Sequence, residues 1–398
     1  MPNVTGPSRI QSIDALRGAI IIIMALDHVR DYTSFAAMSF SPTDLSRSTT
    51  TLFLTRWVTH ICAPVFAVTA GMGAFFWYRH GRTLAQLSRF LVTRGLWLML
   101  LEITALRFIM LFQWRFHGVL IFLTVFWMLG LSMVVLAALV HLPPKLLVAL
   151  SLLVIAGHNL LDPIDPARFG RLAPLWDILH QPAAIPFHGA IVLVAYPLVP
   201  WVAVMALGFC FGSIFFWDPP RRQQFLLRTG LSLCGAFVVL RAWNHYGDPA
   251  PWSHQSATLF TFLSFLNTTK YPPSLLFLLM TLGPAVIALA FFERATFSSN
   301  NPLIVFGRVP FFFFLYHFSV AHFMAIVLGA IRYGPRHFLL LPAPSIGGPR
   351  ELFPQNYGFG LPAVYLVWLA VIVASYPVCR WYAQLKQRRR DLWWLSYL

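Results

Sequence analysis

Charge is what this sequence most conspicuously lacks. Only 11% of its 398 residues are Asp, Glu, Lys or Arg, where a soluble domain carries about 25%. Mean hydropathy is +0.69, and no stretch of useful length is polar enough to form a separate soluble domain. Lysine is confined to positions 145, 270 and 386. The four Cys (62, 210, 234 and 379) are scattered through apolar segments without CxxC spacing, which excludes a disulfide framework and gives no reason to expect a metal site. Missing too are a GxGxxG after a strand, a P-loop and a Walker-type lysine. No clear internal repeat is present, which argues against a transporter built of inverted halves. The opening residues 1–14 are polar and lack the short apolar core of a signal peptide, so the chain is expected to lead straight into a membrane span.

Acidic residues are scarce as well, 13 against 29 basic, giving a formal net charge of +16. In a soluble protein that excess would suggest nucleic acid. Here the basic residues fall between apolar runs, where cytoplasmic loops concentrate them, and no nucleic-acid partner is expected.

Long hydrophobic runs are abundant. A span needs about 20 apolar residues. On that criterion the chain is an all-α polytopic membrane protein of about ten transmembrane helices, near 15–33, 52–78, 88–112, 118–140, 144–161, 189–216, 223–243, 272–292, 309–331 and 360–383. Tyr196-Pro-Leu-Val-Pro200 bends or breaks the sixth. Residues 162–188 form a Pro-rich loop, 257–266 and 302–306 short interfacial helices, and 332–359 a long irregular stretch rich in Pro and Gly. With the N-terminus cytoplasmic, the inner loops hold Arg79, Arg82, Arg89, Lys145, Arg221, Arg222, Arg228, Arg294 and Arg308. The tail adds Arg380, Lys386, Arg388, Arg389 and Arg390, while Asp44, Asp162, Asp165, Asp177, Asp248 and Glu351 fall outside. That is the positive-inside pattern, and an even helix count puts both termini in the cytoplasm. Residues 1–398 then form one transmembrane domain with a basic tail from about 384.

One span departs from the apolar rule. Residues 12–31 read as the first helix yet carry Asp14, Arg17, Asp27, His28, Arg30 and Asp31. Arg17 and His28 are eleven positions apart. Eleven residues make about three turns, so the two share a face roughly 16 Å apart along the axis, with Ile21 and Met24 between them. A cation and an imidazole on one stripe suit a single long ligand lying along the helix. Ionisable residues inside a span usually face a cavity or a partner. His28 fits general acid/base work near neutral pH, with Asp31, three residues on, fixing its tautomer; alternatively it caps the outer helix end. Arg17 either meets an anionic ligand or snorkels to headgroups and pairs with Asp14.

Elsewhere, Glu102 lies mid-span with Arg94, Arg107 and Arg56 as candidate ion-pair partners. Ala70-Gly-Met-Gly-Ala74 and the Gly208/Gly212 pair let helices approach closely. Asn267-Thr-Thr-Lys-Tyr-Pro-Pro-Ser274 concentrates donors and acceptors where two prolines prevent regular helix. Arg308 starts the ninth span and His317 follows about two turns in; each has a bland reading, as a headgroup contact and a hydrogen-bonded core His. A proton-coupled permease using His28, Asp31 and Glu102 as a relay is the main rival to an enzyme, and a structural membrane subunit a third reading.

Ile13-Asp-Ala-Leu-Arg-Gly18 leading to His28, Ala70–Ala74, Tyr196-Pro-Leu-Val-Pro-Trp201 with Gly208, Lys270-Tyr-Pro-Pro-Ser274, and Asn301-Pro-Leu with Gly307-Arg308 together resemble the bacterial branch of the heparan-α-glucosaminide N-acetyltransferase catalytic-domain family. That family sits in a wider group of transmembrane acyltransferases, some with an Arg-x10-His first helix. The resemblance covers nearly the whole chain. It implies a bacterial cytoplasmic-membrane enzyme that moves an acetyl group from cytoplasmic acetyl-CoA, its donor substrate, to a sugar or glycolipid on the far side. Membrane lipid surrounds it, an oligomer is compatible with it, and no metal is involved. The family's first-helix His corresponds to His28 and its Arg to Arg17, so the resemblance makes His28 catalytic and sets Arg17 at the donor. The reading of the residues adds Asp31 to the catalytic pair, Asp14, Arg94 and Arg308 to the donor site, and Asn267, Lys270, Tyr271 and His317 to the acceptor site. Heparan sulfate itself is not carried over, because the lysosomal member places its catalytic His differently.

Overall fold

A computed structural model describes residues 10–112, 120–389, 391, 392 and 395. Residues 1–9, Arg390 and the expected start of the fourth span at 118 lie outside these. The chain is mostly helical: α1 (Gln11–Thr33), α2 (Thr50–Arg79), α3 (Leu84–Leu101), α4 (Val125–Leu139), α5 (Pro144–Leu161), α6 (Val199–Phe216), α7 (Pro219–Trp243), α8 (Thr258–Leu266), α9 (Leu275–Phe292), α10 (Pro302–Arg308), α11 (Pro310–Tyr333) and α12 (Leu361–Arg388). A helix stands at each expected span. Among the described residues seven helices, α2, α5, α6, α7, α9, α11 and α12, are long and apolar enough to cross a membrane. The first carries too many charged side chains for that criterion, and α4 has only 15 residues.

Two expected helix beginnings are strands instead. β1 (Leu120–Leu123) precedes α4, and the hairpin β2 (Ala183–Phe187) and β3 (Ala190–Val194) precedes α6. β3 lies in the middle of the sheet, parallel to β1 with Leu120 opposite Ile191, and antiparallel to β2 with Phe187 opposite Ala190. The hairpin loop is His188-Gly189, both with positive φ, as a tight two-residue turn requires. Hydropathy alone cannot separate a short apolar strand from a helix start. Pro197 and Pro200 stop α6 from extending backwards into β3.

α1 is the axis of the bundle, packing against α2, α9, α10, α11 and α12. Its tightest crossing is with α10. A Cβ on Gly18 would collide with the Leu303 carbonyl, and one on Gly307 with the Asp14 carbonyl, so backbone lies on backbone at both points. Gly71 and Gly208 do the same where α2 crosses α6.

Glu102 corrects an expectation. It opens a π-helical turn, Glu102–Leu106, after α3, and its recorded partners form no ion pair. Its carboxylate accepts from Thr124 Oγ1 (2.5 Å) and from the backbone N–H groups of Thr124 (3.2 Å), Phe126 (2.9 Å) and Trp127 (3.2 Å). These are the orphan donors of the α4 N-terminus, and a carboxylate there also meets the positive end of the helix dipole. The three arginines considered for it lie elsewhere; Arg56 is on Asp27 and Arg107 Nε donates to Leu120 O. Glu102→Ala strands several buried donors at once, so it is expected to lower the apparent melting temperature in detergent, by an amount corresponding to about 3 kcal/mol. Glu102→Gln, which keeps one acceptor, loses less.

Candidate functional site

α1 delivers Arg17 to one cavity and Asp27 and His28 to another. At the Arg17 end lies a cavity of about 290 Å³. Arg17 from α1, Arg94 from α3, Arg308 from α10 and Lys386 from α12 line it, with Thr69, Gly73, Trp77 and Phe90. Four cations converge there, and no carboxylate is among its described lining residues. Arg17 Nη2 donates to Thr69 O at 2.6 Å. Trp77 and Phe90 stack at 4.3 Å, with the Arg94 guanidinium 5.3 Å from the Phe90 ring centre. Polyanion recognition is the chemistry such a lining provides.

The His28 end holds a second, smaller cavity of about 40 Å³, room for only a few water-sized groups. His28, Asp27, Thr59, Cys62, Tyr196 and Lys270 line it. Phe66, Val125 and Phe314 line both cavities, an apolar neck where the two adjoin. Arg17 and His28 therefore line adjoining cavities along α1.

The partner of His28 is not Asp31. Its Nδ1 lies 2.7 Å from His317 Nε2 on α11, while Asp31 takes the guanidinium of Arg30 at 2.7 Å, a stronger match for a carboxylate than a neutral imidazole. The tautomers follow from the other end of the chain of bonds. His317 Nδ1 is 2.8 Å from the Phe313 carbonyl, which can only accept, so Nδ1 carries the proton. Nε2 of neutral His317 then has the lone pair and accepts from His28 Nδ1–H. That leaves His28 Nε2 unprotonated, its lone pair available as base or nucleophile. Phe314 and Phe318 flank the ring, with centroids at 5.6 Å and 3.9 Å.

Beside His28, Asp27 binds Arg30 at 2.9 Å and also Arg56. The remaining expected site residues fall as follows. Asp14 is buried at the α1–α10 crossing, Asn267 Nδ2 donates to Thr43 O at 3.0 Å, and Tyr271 packs on Tyr196 at 5.1 Å. Asp14 and Asn267 are thus anchors of the scaffold rather than lining residues. Sequence reasoning missed Lys386, Tyr196 and the three neck residues as parts of the site. Only Lys386 carried a signal, the rarity of lysine; single Phe and Val residues among so many carry none.

A family model described as "Heparan-alpha-glucosaminide N-acetyltransferase, catalytic" matches residues 9–240. The match contains Arg17, His28, Arg94 and the neck residues Phe66 and Val125; Lys270, Arg308, Phe314, His317 and Lys386 lie beyond it. No curated protein matches the chain.

The shared neck yields an expectation independent of turnover. Cys62 lines the small cavity, so in a variant with the other three Cys replaced by Ala, shortening Phe314 to Ala should speed maleimide labelling of Cys62 on the order of tenfold, by opening access from the larger cavity. An unchanged labelling rate means the two cavities do not communicate.

Proposed function

The chain belongs to the heparan-α-glucosaminide N-acetyltransferase catalytic family, a family of membrane acetyltransferases, and on that premise we propose that it takes an acetyl group from acetyl-CoA and delivers it to a sugar or glycolipid acceptor across the membrane. About ten transmembrane helices with both termini in the cytoplasm complete this reading, and put the Arg17 end on the cytoplasmic side of a bacterial inner membrane.

The observation that carries the proposal is the neck. A cavity lined by four cations at one end of α1 shares Phe66, Val125 and Phe314 with a smaller one lined by His28, whose Nε2 carries the lone pair. On this reading the CoA phosphates lie among Arg17, Arg94, Arg308 and Lys386, and the pantetheine arm follows α1. The roughly 16 Å between Arg17 and His28 is of the order of that arm's length. The thioester carbonyl then sits at the neck. His28 Nε2 takes the proton of the acceptor hydroxyl or amine as that group attacks, and returns it to the departing CoA thiolate; the variant route, in which Nε2 first carries the acetyl group, uses the same lone pair. His317 is a positioning residue here, doing for His28 what an orienting carboxylate does in a triad. Asp31 has no part in orienting the imidazole.

Nothing specific in the structure favours the permease. Glu102 is enclosed by the α4 N-terminus and Asp31 is held by Arg30, and among the described residues neither contacts His28.

The test uses purified full-length protein and radiolabelled acetyl-CoA, following transfer into the glycolipid fraction of membranes. His28→Ala is expected to lower the rate at least 10²-fold while acetyl-CoA still raises the melting temperature. Arg17→Ala is expected to weaken that stabilisation and raise the KM for acetyl-CoA about tenfold, the loss of one charge-assisted contact. His317→Phe, which removes the acceptor for Nδ1–H, should lower kcat, and His317→Gln should recover part of it. Full turnover in His28→Ala removes the imidazole from the reaction.

A further inference from the structure

Resting on the acyltransferase reading, we infer that Lys270 is a catalytic residue whose ammonium holds the oxyanion formed on the thioester carbonyl. The motivation is how the chain presents this one side chain. Lys270 lines the small cavity that His28 also lines, and its backbone is clamped on both sides. The Asp248 carboxylate accepts from Thr269 N (2.8 Å), Thr269 Oγ1 (2.9 Å) and Ser274 Oγ (2.6 Å). Within that span Lys270 bridges to Pro273, and the Pro273 carbonyl accepts from His158 Nε2 at 2.9 Å. The loop is thus closed by side chains from α5 and from the segment after α7, far more restraint than a polar helix cap needs.

The charge around the cavity is also uneven. Asp27, the carboxylate that lines it, is bound by both Arg30 and Arg56. Lys270 makes no ion pair among the described residues. Its Nζ lies instead 5.1 Å and 6.0 Å from the ring centres of Tyr271 and Tyr196. A cation held against two phenol rings, facing a cavity of about 40 Å³, is preorganised for a negative charge that exists only during reaction.

The acceptor oxygen or nitrogen forms a bond to the thioester carbon, the C=O π pair moves to oxygen, and the proton of the acceptor goes to His28 Nε2. Lys270 hydrogen-bonds the oxyanion without giving up a proton. The oxyanion then re-forms C=O, the C–S bond breaks, and the CoA thiolate takes the proton from the imidazolium.

Water serves as the acceptor in the test, so the natural acceptor need not be known. Full-length protein in excess is mixed with acetyl-CoA, and CoA thiol release is followed in a single turnover for wild type, Lys270→Met, Lys270→Gln, Lys270→Arg and His28→Ala. Lys270→Met is expected to slow release about 10²-fold at saturation, the usual cost of losing one oxyanion donor. The protein concentration that half-saturates release and its melting temperature should stay unchanged, and Lys270→Arg should recover part of the rate. Wild-type release by Lys270→Met overturns this proposal and leaves the enzyme reading standing, with Lys270 at most an anchor for the acceptor. Unfolding of Lys270→Met together with wild-type release by a folded Lys270→Arg and Lys270→Gln overturns it equally. Wild-type protein that releases no thiol above the buffer blank overturns both.

Discussion

A helix that carries six ionisable residues can run through an apolar bundle only if the protein itself replaces the water those groups lose. An unpaired charge in such an interior costs several kcal/mol. Every charged group along α1 for which a bond is recorded is met from within. Arg17 donates to a carbonyl on α2, Asp27 binds Arg30 one turn on and Arg56 from α2, and Asp31 closes on Arg30. Because two of these partners come from α2, α1 and α2 cannot slide past each other without stranding a charge. The glycine crossing with α10 adds the same constraint from the other side: Gly18 and Gly307 bring backbones so close that no register with a Cβ at either point is tolerated. The spacing between Arg17 and His28 is thereby fixed relative to the helices that line both cavities.

That rigidity matters for the neck. Phe66, Val125 and Phe314 come from three different helices. Val125 is the first residue of α4, whose N-terminus is held by Glu102, so a carboxylate outside the site sets the position of one of its walls. On the acyltransferase reading, an apolar constriction of this kind excludes water from the thioester and strengthens every electrostatic contact made there. It suits group transfer better than ion or proton flux, which needs a chain of polar groups across the same place.

Much of this was legible in residue order, and the reasons for the exceptions are physical. Apolar run length locates ten helices because the hydropathy signal is strong over 20 residues. It cannot see the sheet, since β1 and β3 are equally apolar and only four or five residues long. The Arg17–His28 stripe is visible because both lie on one helix, where periodicity fixes the geometry. The His28–His317 bond joins α1 to α11 across 289 positions, and no spacing rule reaches that far. Local reasoning turned to Asp31 instead, the carboxylate three residues on and so within helical reach, without weighing that Arg30 competes for it. Glu102 misled in the same way: its charge suggested a charged partner, while the donors it meets are backbone N–H groups that a sequence does not display.

The choice of a second histidine over a carboxylate has a consequence for how the reaction is stabilised. A carboxylate on His28 Nδ1 would favour the imidazolium that forms as the acceptor loses its proton, but it would also place a permanent charge beside an apolar neck. His317 fixes the tautomer while leaving the resting pair neutral. The cost is that His317 does less for the developing positive charge, so that support must come from elsewhere in the cavity. Asp27 lines the same space, and its own pairing with Arg30 and Arg56 keeps it fixed. On the acyltransferase reading the positive charge on His28 is then answered by Asp27, and the negative charge on the carbonyl oxygen by Lys270. On the same reading the two charges of the transition state meet two separate, pre-positioned partners. An ion network, a clamped loop and a histidine pair then converge, for one purpose, on a cavity of only about 40 Å³.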